Sequence, residues 1–409
     1  MKKSILKEYA KLIVKVGANV QKGQDVIIQA SVEEAYFVPY VVEAAYKAKA
    51  KYVSEDWSST ELTKLNYKYA STKTLSHLPD WKVEKMEYIA QTLPAHIYLV
   101  SDDPDGLAGI DQKKMLDVQQ AIGPIRMKYR ERMDNRYQWV IAGIPGEKWA
   151  KKIFPDCSSK KAVELLWDAI LKVTRAYGNS VENWHKHNEN LAAKATLLND
   201  LRIKKLTYRS ANGTDFTVEL KESALFCAGG AYTLNGVYYN PNMPTEECFT
   251  SPDKYSANGV VMATKPLSVR GVLVDHFGFR FEQGKITEVL CENAEHKEVL
   301  EHLIATDEGA KMLGEVALVP FDSPVNQTGL LFYNTLYDEN ACCHLAIGRA
   351  FNECIRGYEQ MSEEEIKKED LNTSMIHVDF MIGSSDLSIV ATTYDQKEVT
   401  IFKDGTWAI

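Results

Sequence analysis

The sequence predicts an α/β N-terminal domain followed by a mixed α+β, largely antiparallel C-terminal domain, and three observations predict it. Helical and extended patterns alternate through the first half, a long polar helical pattern occupies residues 181–201, and beyond it short extended runs separated by tight turns take over. At 409 residues the chain exceeds the size at which a single core keeps growing, so two domains are expected, at 1–195 and 196–409.

The elements follow in order. A helical pattern over 4–16 precedes the extended run DVIIQ at 25–29 and a second helical pattern over 32–49. Such alternation indicates βαβ units. Extended runs at 97–100 and 137–141 lead into the loops SDDPDG at 101–106 and AGIPG at 142–146, and helices are expected at 162–174 and 181–201, the second long enough to bridge two domains. Past residue 200, the runs at 206–209 and 216–220 flank Asn212 and Gly213, and those at 279–281 and 286–289 flank Gly284. These are hairpin signatures, and Asp404 and Gly405 repeat the device near the C-terminus. A helix is expected over 296–304.

Composition narrows the functional classes. Hydrophobic residues at 45% and charged residues at 25% exclude a disordered or fibrous chain. A formal net charge of −8, with no cluster of Lys and Arg among aromatics, argues against a nucleic-acid partner. Seven cysteines, including the adjacent Cys342 and Cys343, show no spacing of a disulfide framework or thiolate zinc site, which fits a reducing cytoplasm. Lys7, Glu8, Lys11 and Lys15 interrupt any apolar core near the start, so a secretory signal is not expected. No uninterrupted apolar run of membrane-spanning length occurs either.

The chemistry concentrates in the second half. His377 and Asp379 lie two residues apart inside the apolar run 375–382, so on a strand they project to the same side. Leaving either unsatisfied in a buried place costs on the order of 1–3 kcal/mol, and a metal ion would satisfy both. Glu246, Glu247, Glu315 and His344 are further donors beside apolar or turn residues. Taken singly, each has a plain structural explanation: a core imidazole, an edge-strand carboxylate, a buried His–Asp pair. Taken together, the nitrogen and oxygen donors exceed what one tetrahedral ion needs and suit a pair of divalent ions with a bridging carboxylate. Such ions sit about 3.5–4 Å apart and make the water between them a nucleophile near neutral pH, so hydrolysis is the expected chemistry. Spacing alone leaves open which carboxylate binds metal and which accepts a proton.

Four segments carry a resemblance that covers nearly the whole chain: NMPTEECFT at 242–250, LGEVALVP at 313–320, DENACCHLAIG at 338–348 and SMIHVDFMIGS at 374–384. With weaker echoes at 145–155 and at Asp103 and Pro104, the sequence resembles the thermophilic-aminopeptidase family of metallopeptidases. The resemblance implies a dinuclear exopeptidase removing N-terminal residues from short peptides, a smaller α/β N-terminal domain, a catalytic C-terminal domain and a homodimer. It implies Glu247, Glu315, His344, His377 and Asp379 as metal ligands and leaves Glu246 as the general base. Donor chemistry permits zinc, cobalt, manganese or magnesium. Glu339, five residues before His344, is a candidate for supporting a ligand or anchoring the peptide amine.

One position departs from the family pattern, which has a tyrosine seven residues after the metal-binding histidine where this chain has Phe351. An absent oxyanion donor would cost about 2.7–4 kcal/mol of transition-state stabilisation unless Tyr333, Tyr337 or Tyr358 replaces it. Two alternatives therefore stand beside the aminopeptidase: another dinuclear hydrolase, such as a phosphoesterase or amidohydrolase, and a peptide-binding homologue weakened by Phe351.

Overall fold

The computed structural model describes residues 1–409 except Asp102 and Arg270; Asp102, in the loop expected at 101–106, thus lies outside the described residues. The protein is a mixed α/β chain divided into two compact units. One comprises 1–189 and 229–245, the other 190–228 and 246–409. The chain therefore passes between them three times, after Glu189, Ala228 and Thr245, whereas the boundary expected at 195/196 supposes a single passage.

The first unit is built on a five-stranded sheet in which all pairings are parallel. Asp25–Ser31 lies between Tyr52–Ser58 and Ala95–Val100; Trp139–Gly143 follows, and the two-residue strand Asn242–Met243 closes the far edge. Parallel neighbours need crossover connections, which is why the elements alternate as they do. Ile28, Ile97 and Val140, on successive strands, are fully buried. The helix expected over 32–49 is split: Ser31 and Glu34 form a capping box on the short 3-10 turn Val32–Glu34, and a separate helix runs Val38–Lys47. Pro39 accounts for the break, because a proline starts a helix well and interrupts one badly.

His96 makes the stability of this unit acid-sensitive. Its ring is nine-tenths buried, with Nδ1 3.1 Å from the Tyr98 hydroxyl and Nε2 without a hydrogen-bond partner among the described residues. Burial pulls its pKa down to about 4. An unfolded histidine titrates near 6.5, so below that pH the unfolded chain takes up a proton that the folded one refuses. The stabilisation is complete above about pH 6.5 and falls by about 3 kcal/mol as the pH drops to about 4. Thermal melts at pH 7.5 and 4.5 check this: His96→Phe should lose markedly less stability on acidification than the parent.

The two larger sheets of the second unit are antiparallel and share one core. The larger has eight strands, in the order Lys285–Cys291, Phe277–Glu282, Asn258–Met262, Asp215–Glu219, Ile203–Arg209, Ser388–Thr393, Glu398–Lys403 and Thr406–Trp407. All three hairpins read from the sequence lie in it. The smaller runs His377–Met381, His344–Gly348, Leu313–Leu318, Cys248–Thr250 and Cys227–Ala228. Leu206, Phe216 and Phe279 from the first sheet join Val316, Leu345 and Phe380 from the second in a common cluster, where the rings of Phe279 and Phe380 meet edge to face at 5.2 Å.

Candidate metal centre

The smaller sheet has one apolar face and one ionisable face, and strand alternation decides which residue goes where. Glu315 is registered opposite Ala346, and Ala346 opposite Asp379, so the three share a face across three adjacent strands. Residues two apart keep to that face, which adds Ala317, His344, Gly348 and His377. Ala317 is registered with Phe249, whose own i−2 neighbour is Glu247. The intervening residues Cys248, Val316, Leu318, Leu345, Ile347 and Phe380 enter the apolar core on the opposite face. Small residues at 317, 346 and 348 leave space among the longer donors. At Gly348, φ is +101° and an added Cβ would come within 2.2 Å of the Ile376 carbonyl oxygen, so glycine permits the close approach of the strand carrying His377.

Five predicted donors thus converge. His344 Nε2 lies 3.2 Å from Glu247 Oε2, while His377 Nε2 lies 3.1 Å from Glu315 Oε2 and 3.3 Å from Asp379 Oδ1. They form two overlapping groups, Glu247, Glu315 and His344, then Glu315, His377 and Asp379, each with donor atoms within 4.8 Å of one another. Glu315 is common to both. The two imidazoles are oriented alike: His377 Nδ1 is 2.7 Å from the Arg349 carbonyl oxygen and His344 Nδ1 3.3 Å from that of Cys342, which turns each Nε2 toward the carboxylates. A backbone acceptor on the far ring nitrogen is the usual support of a metal-binding histidine.

Electrostatics in the pocket is governed by burial opposed by pairing. Burial raises Glu315 to about 7, with His377 pulling the other way. For His344 burial favours the neutral ring, but Glu247, and then Asp379 and Glu315, outweigh it and leave the pKa at about 9. Burial likewise opposes ionisation of Asp379, yet His377 holds it down at about 2, and His377 itself is raised well above its ordinary value by Asp379 and Glu315. Glu339 is nine-tenths buried; desolvation and the nearby charges of Asp379, Glu247 and Glu315 raise its pKa far above the carboxylate range. Carboxylates outnumber imidazoles here, so the cluster calls for added positive charge, and its oxygen and nitrogen donors suit divalent cations.

Among the other predicted residues, Phe351 has a ring contact with a donor of this constellation. Glu246 is buried in the irregular stretch preceding Cys248–Thr250, and its backbone N–H donates to Asn340 Oδ1 at 2.7 Å. Phe351 places its ring 4.8 Å from that of His377 and 5.6 Å from that of Phe249. Of the tyrosines considered as substitutes for a missing hydroxyl, Tyr337 is fully buried and stacked on Phe332, Tyr358 is buried, and Tyr333 is half-buried.

Sequence reasoning passed over Asn340 and Asp338. Asn340 is fully buried and spans two segments, accepting from Glu246 while its amide donates to the Leu336 carbonyl at 2.9 Å. Asp338 accepts from the backbone N–H groups of Phe332 and Asn334 at 2.8 and 3.1 Å, fixing the loop that delivers Glu339. Both stand beside Glu339 in the run DEN, a signal that only a buried setting distinguishes from an ordinary polar turn.

A model of the family described as thermophilic metalloprotease (M29) matches residues 2–407. Aminopeptidase AmpS of Bacillus subtilis is 43% identical over 405 residues, covering 98% of each chain. Aminopeptidase 2 of Geobacillus stearothermophilus is 39% identical over 98% of this chain and 97% of its own. Wild-type AmpT from Thermus thermophilus superposes with a TM-score of 0.89 at 35% identity, over the full length of both chains.

Proposed function

Since this chain belongs to the thermophilic metalloprotease (M29) family and is a metalloaminopeptidase, we propose that it removes single residues from the free N-terminus of short peptides, using two divalent ions held by Glu247, Glu315, His344, His377 and Asp379. The observation that carries this reading is the sharing of Glu315 by two donor groups on one sheet face. One ion would fall to Glu247, Glu315 and His344, the other to Glu315, His377 and Asp379. Bound there, the ions would supply Lewis-acid polarisation of the scissile carbonyl and would acidify water in the space between them.

The protein's own groups do the remaining work. The backbone acceptors at Arg349 and Cys342 hold both imidazoles with Nε2 facing inward. Glu246, its backbone pinned by Asn340, takes the proton of the attacking water and returns it to the leaving amine. Glu339 presents a carboxyl beside Asp379 to the peptide's α-amine. The Phe249 and Phe351 rings form an apolar wall that limits water at the His377 side. We further propose a homodimer working in the cytoplasm. The seven cysteines are all free, and among the described residues no helix is long and apolar enough to cross a membrane.

Treatment with a chelator followed by buffer exchange is the direct test. Cleavage of N-terminal amino-acid arylamides should vanish and return on adding Zn, Co, Mn or Mg, with metal analysis giving two ions per chain. Full activity in metal-free protein would overturn the reading.

A weakened peptide binder is the second reading, and the specific observation favouring it is that an aromatic ring without a hydroxyl lies against His377. Phe351→Tyr is expected to raise kcat by about 10²-fold, the lower end of what one oxyanion donor contributes. An unchanged kcat in an active parent would assign that donation to another group.

A further inference from the structure

Beside the metal-binding face, two thiols stand close together with no part in the chemistry described so far. Cys227 and Cys354 have their sulfurs 4.0 Å apart. Cys227 is half-buried, on the two-residue edge strand of the smaller sheet, and its S–H donates to the Glu353 carbonyl at 3.3 Å. Cys354 is almost wholly buried at the end of the 3-10 turn Asn352–Cys354. The two backbones are already laced together: Leu225 N–H donates to the Cys354 carbonyl at 2.8 Å, Arg356 N–H donates to that of Ser223 at 2.7 Å, and Ala224 bridges to Ile355. A disulfide needs the sulfurs near 2.05 Å, so each must travel only about 1 Å, between segments that backbone hydrogen bonds already hold side by side.

We propose that Cys227 and Cys354 are an oxidation site, forming a reversible disulfide that slows the enzyme. Cys227 is the less buried of the two. With hydrogen peroxide as oxidant, the Cys227 sulfur attacks one peroxide oxygen, the O–O bond breaks, and one water leaves a sulfenic acid. The Cys354 sulfur then attacks that sulfenic sulfur, the S–S bond forms, the S–O bond breaks, and a second water departs with the remaining proton. Two thiols and one peroxide become one disulfide and two waters.

The route from this bond to turnover is short. Cys227 is registered directly opposite Phe249, and Cys354 lies three residues beyond Phe351. Phe249 packs on Phe351, which packs on His377. Drawing the turn 352–354 toward the edge strand therefore pulls on the wall that backs a metal-binding imidazole. Displacing such a support is expected to cost about tenfold in kcat/KM, the low end of the range for groups that orient a ligand.

Formation of the bond does not depend on the metal centre, whereas its effect on turnover rests on the aminopeptidase reading. Full-length protein carrying its metal is exposed to a small excess of hydrogen peroxide, then assayed by thiol titration, peptide mapping and arylamide cleavage. Expected are the loss of two of the seven thiols, a cross-linked peptide joining 227 to 354, about tenfold slower cleavage, and recovery of both with dithiothreitol. Cys227→Ser and, separately, Cys354→Ser should each abolish the cross-link and protect the rate; the half-exposed position 227 keeps the test decisive if the buried variant folds poorly. Retention of both thiols, a cross-link elsewhere, or a cross-linked enzyme with unchanged rate each overturns the proposal. Thiol counts remain readable if the protein proves to have no peptidase activity, which separates the two failures.

Discussion

Glu315→Ala should lower kcat/KM by at least about 10³-fold and strip metal from the protein, the largest effect of any single substitution considered. Lewis-acid stabilisation by bound metal amounts to several kcal/mol, and each 1.36 kcal/mol is a factor of ten in rate. Glu315 is the one side chain that belongs to both donor groups, so its loss weakens both at once. Glu247→Ala makes the contrast, because it leaves the group of Glu315, His377 and Asp379 whole. Metal analysis after gel filtration should therefore find one ion retained in Glu247→Ala and fewer in Glu315→Ala. Circular dichroism guards against a trivial cause: Glu315 lies in a strand paired on both sides, so its fold should persist. Wild-type kinetics in Glu315→Ala, with metal still bound, would remove the basis of the shared-donor site.

Glu246→Gln should give the second largest effect, of a different kind. The amide has nearly the same shape and keeps the backbone donation to Asn340, but it accepts no proton. A positioned general base contributes about 10²–10⁴-fold, so kcat should fall by that factor while metal content and thermal stability stay near the parent's. The pairing of lost turnover with retained metal separates a proton carrier from a ligand. If Glu246→Gln instead releases an ion, the roles of Glu246 and Glu247 must be exchanged.

How much of this was legible beforehand follows from the physics of each element. The two-residue period of a strand put His377 and Asp379 on one side, and the alternation of patterns in the first half pointed to parallel βαβ units; both come from local rules that a sequence exposes directly. The strand Tyr52–Ser58 escaped notice because it is a sheet edge, mostly exposed and carrying Glu55 and Asp56, so it lacks the apolar signature of its neighbours. The meeting of Glu247, Glu315 and His344 depends on strand order and register, which are tertiary facts with no local imprint. Here the family resemblance supplied what spacing could not. Ala346 illustrates the remainder: in the sequence it is one alanine among many, and only its place between Glu315 and Asp379 gives it a purpose. The contact of Phe351 with His377 was equally out of reach, since the two lie on segments brought together across the sheet.

The return of 229–245 to the first unit limits how the gene can be divided. A product ending at residue 195 would present Trp139–Gly143 as a raw border, stripped of its partner Asn242–Met243. A product starting at 196 would carry that same pair of residues with no sheet to receive them. Neither half is an independent module, so single-crossover chimeras with relatives should express poorly, while grafts that move 1–189 together with 229–245 should yield soluble hybrids.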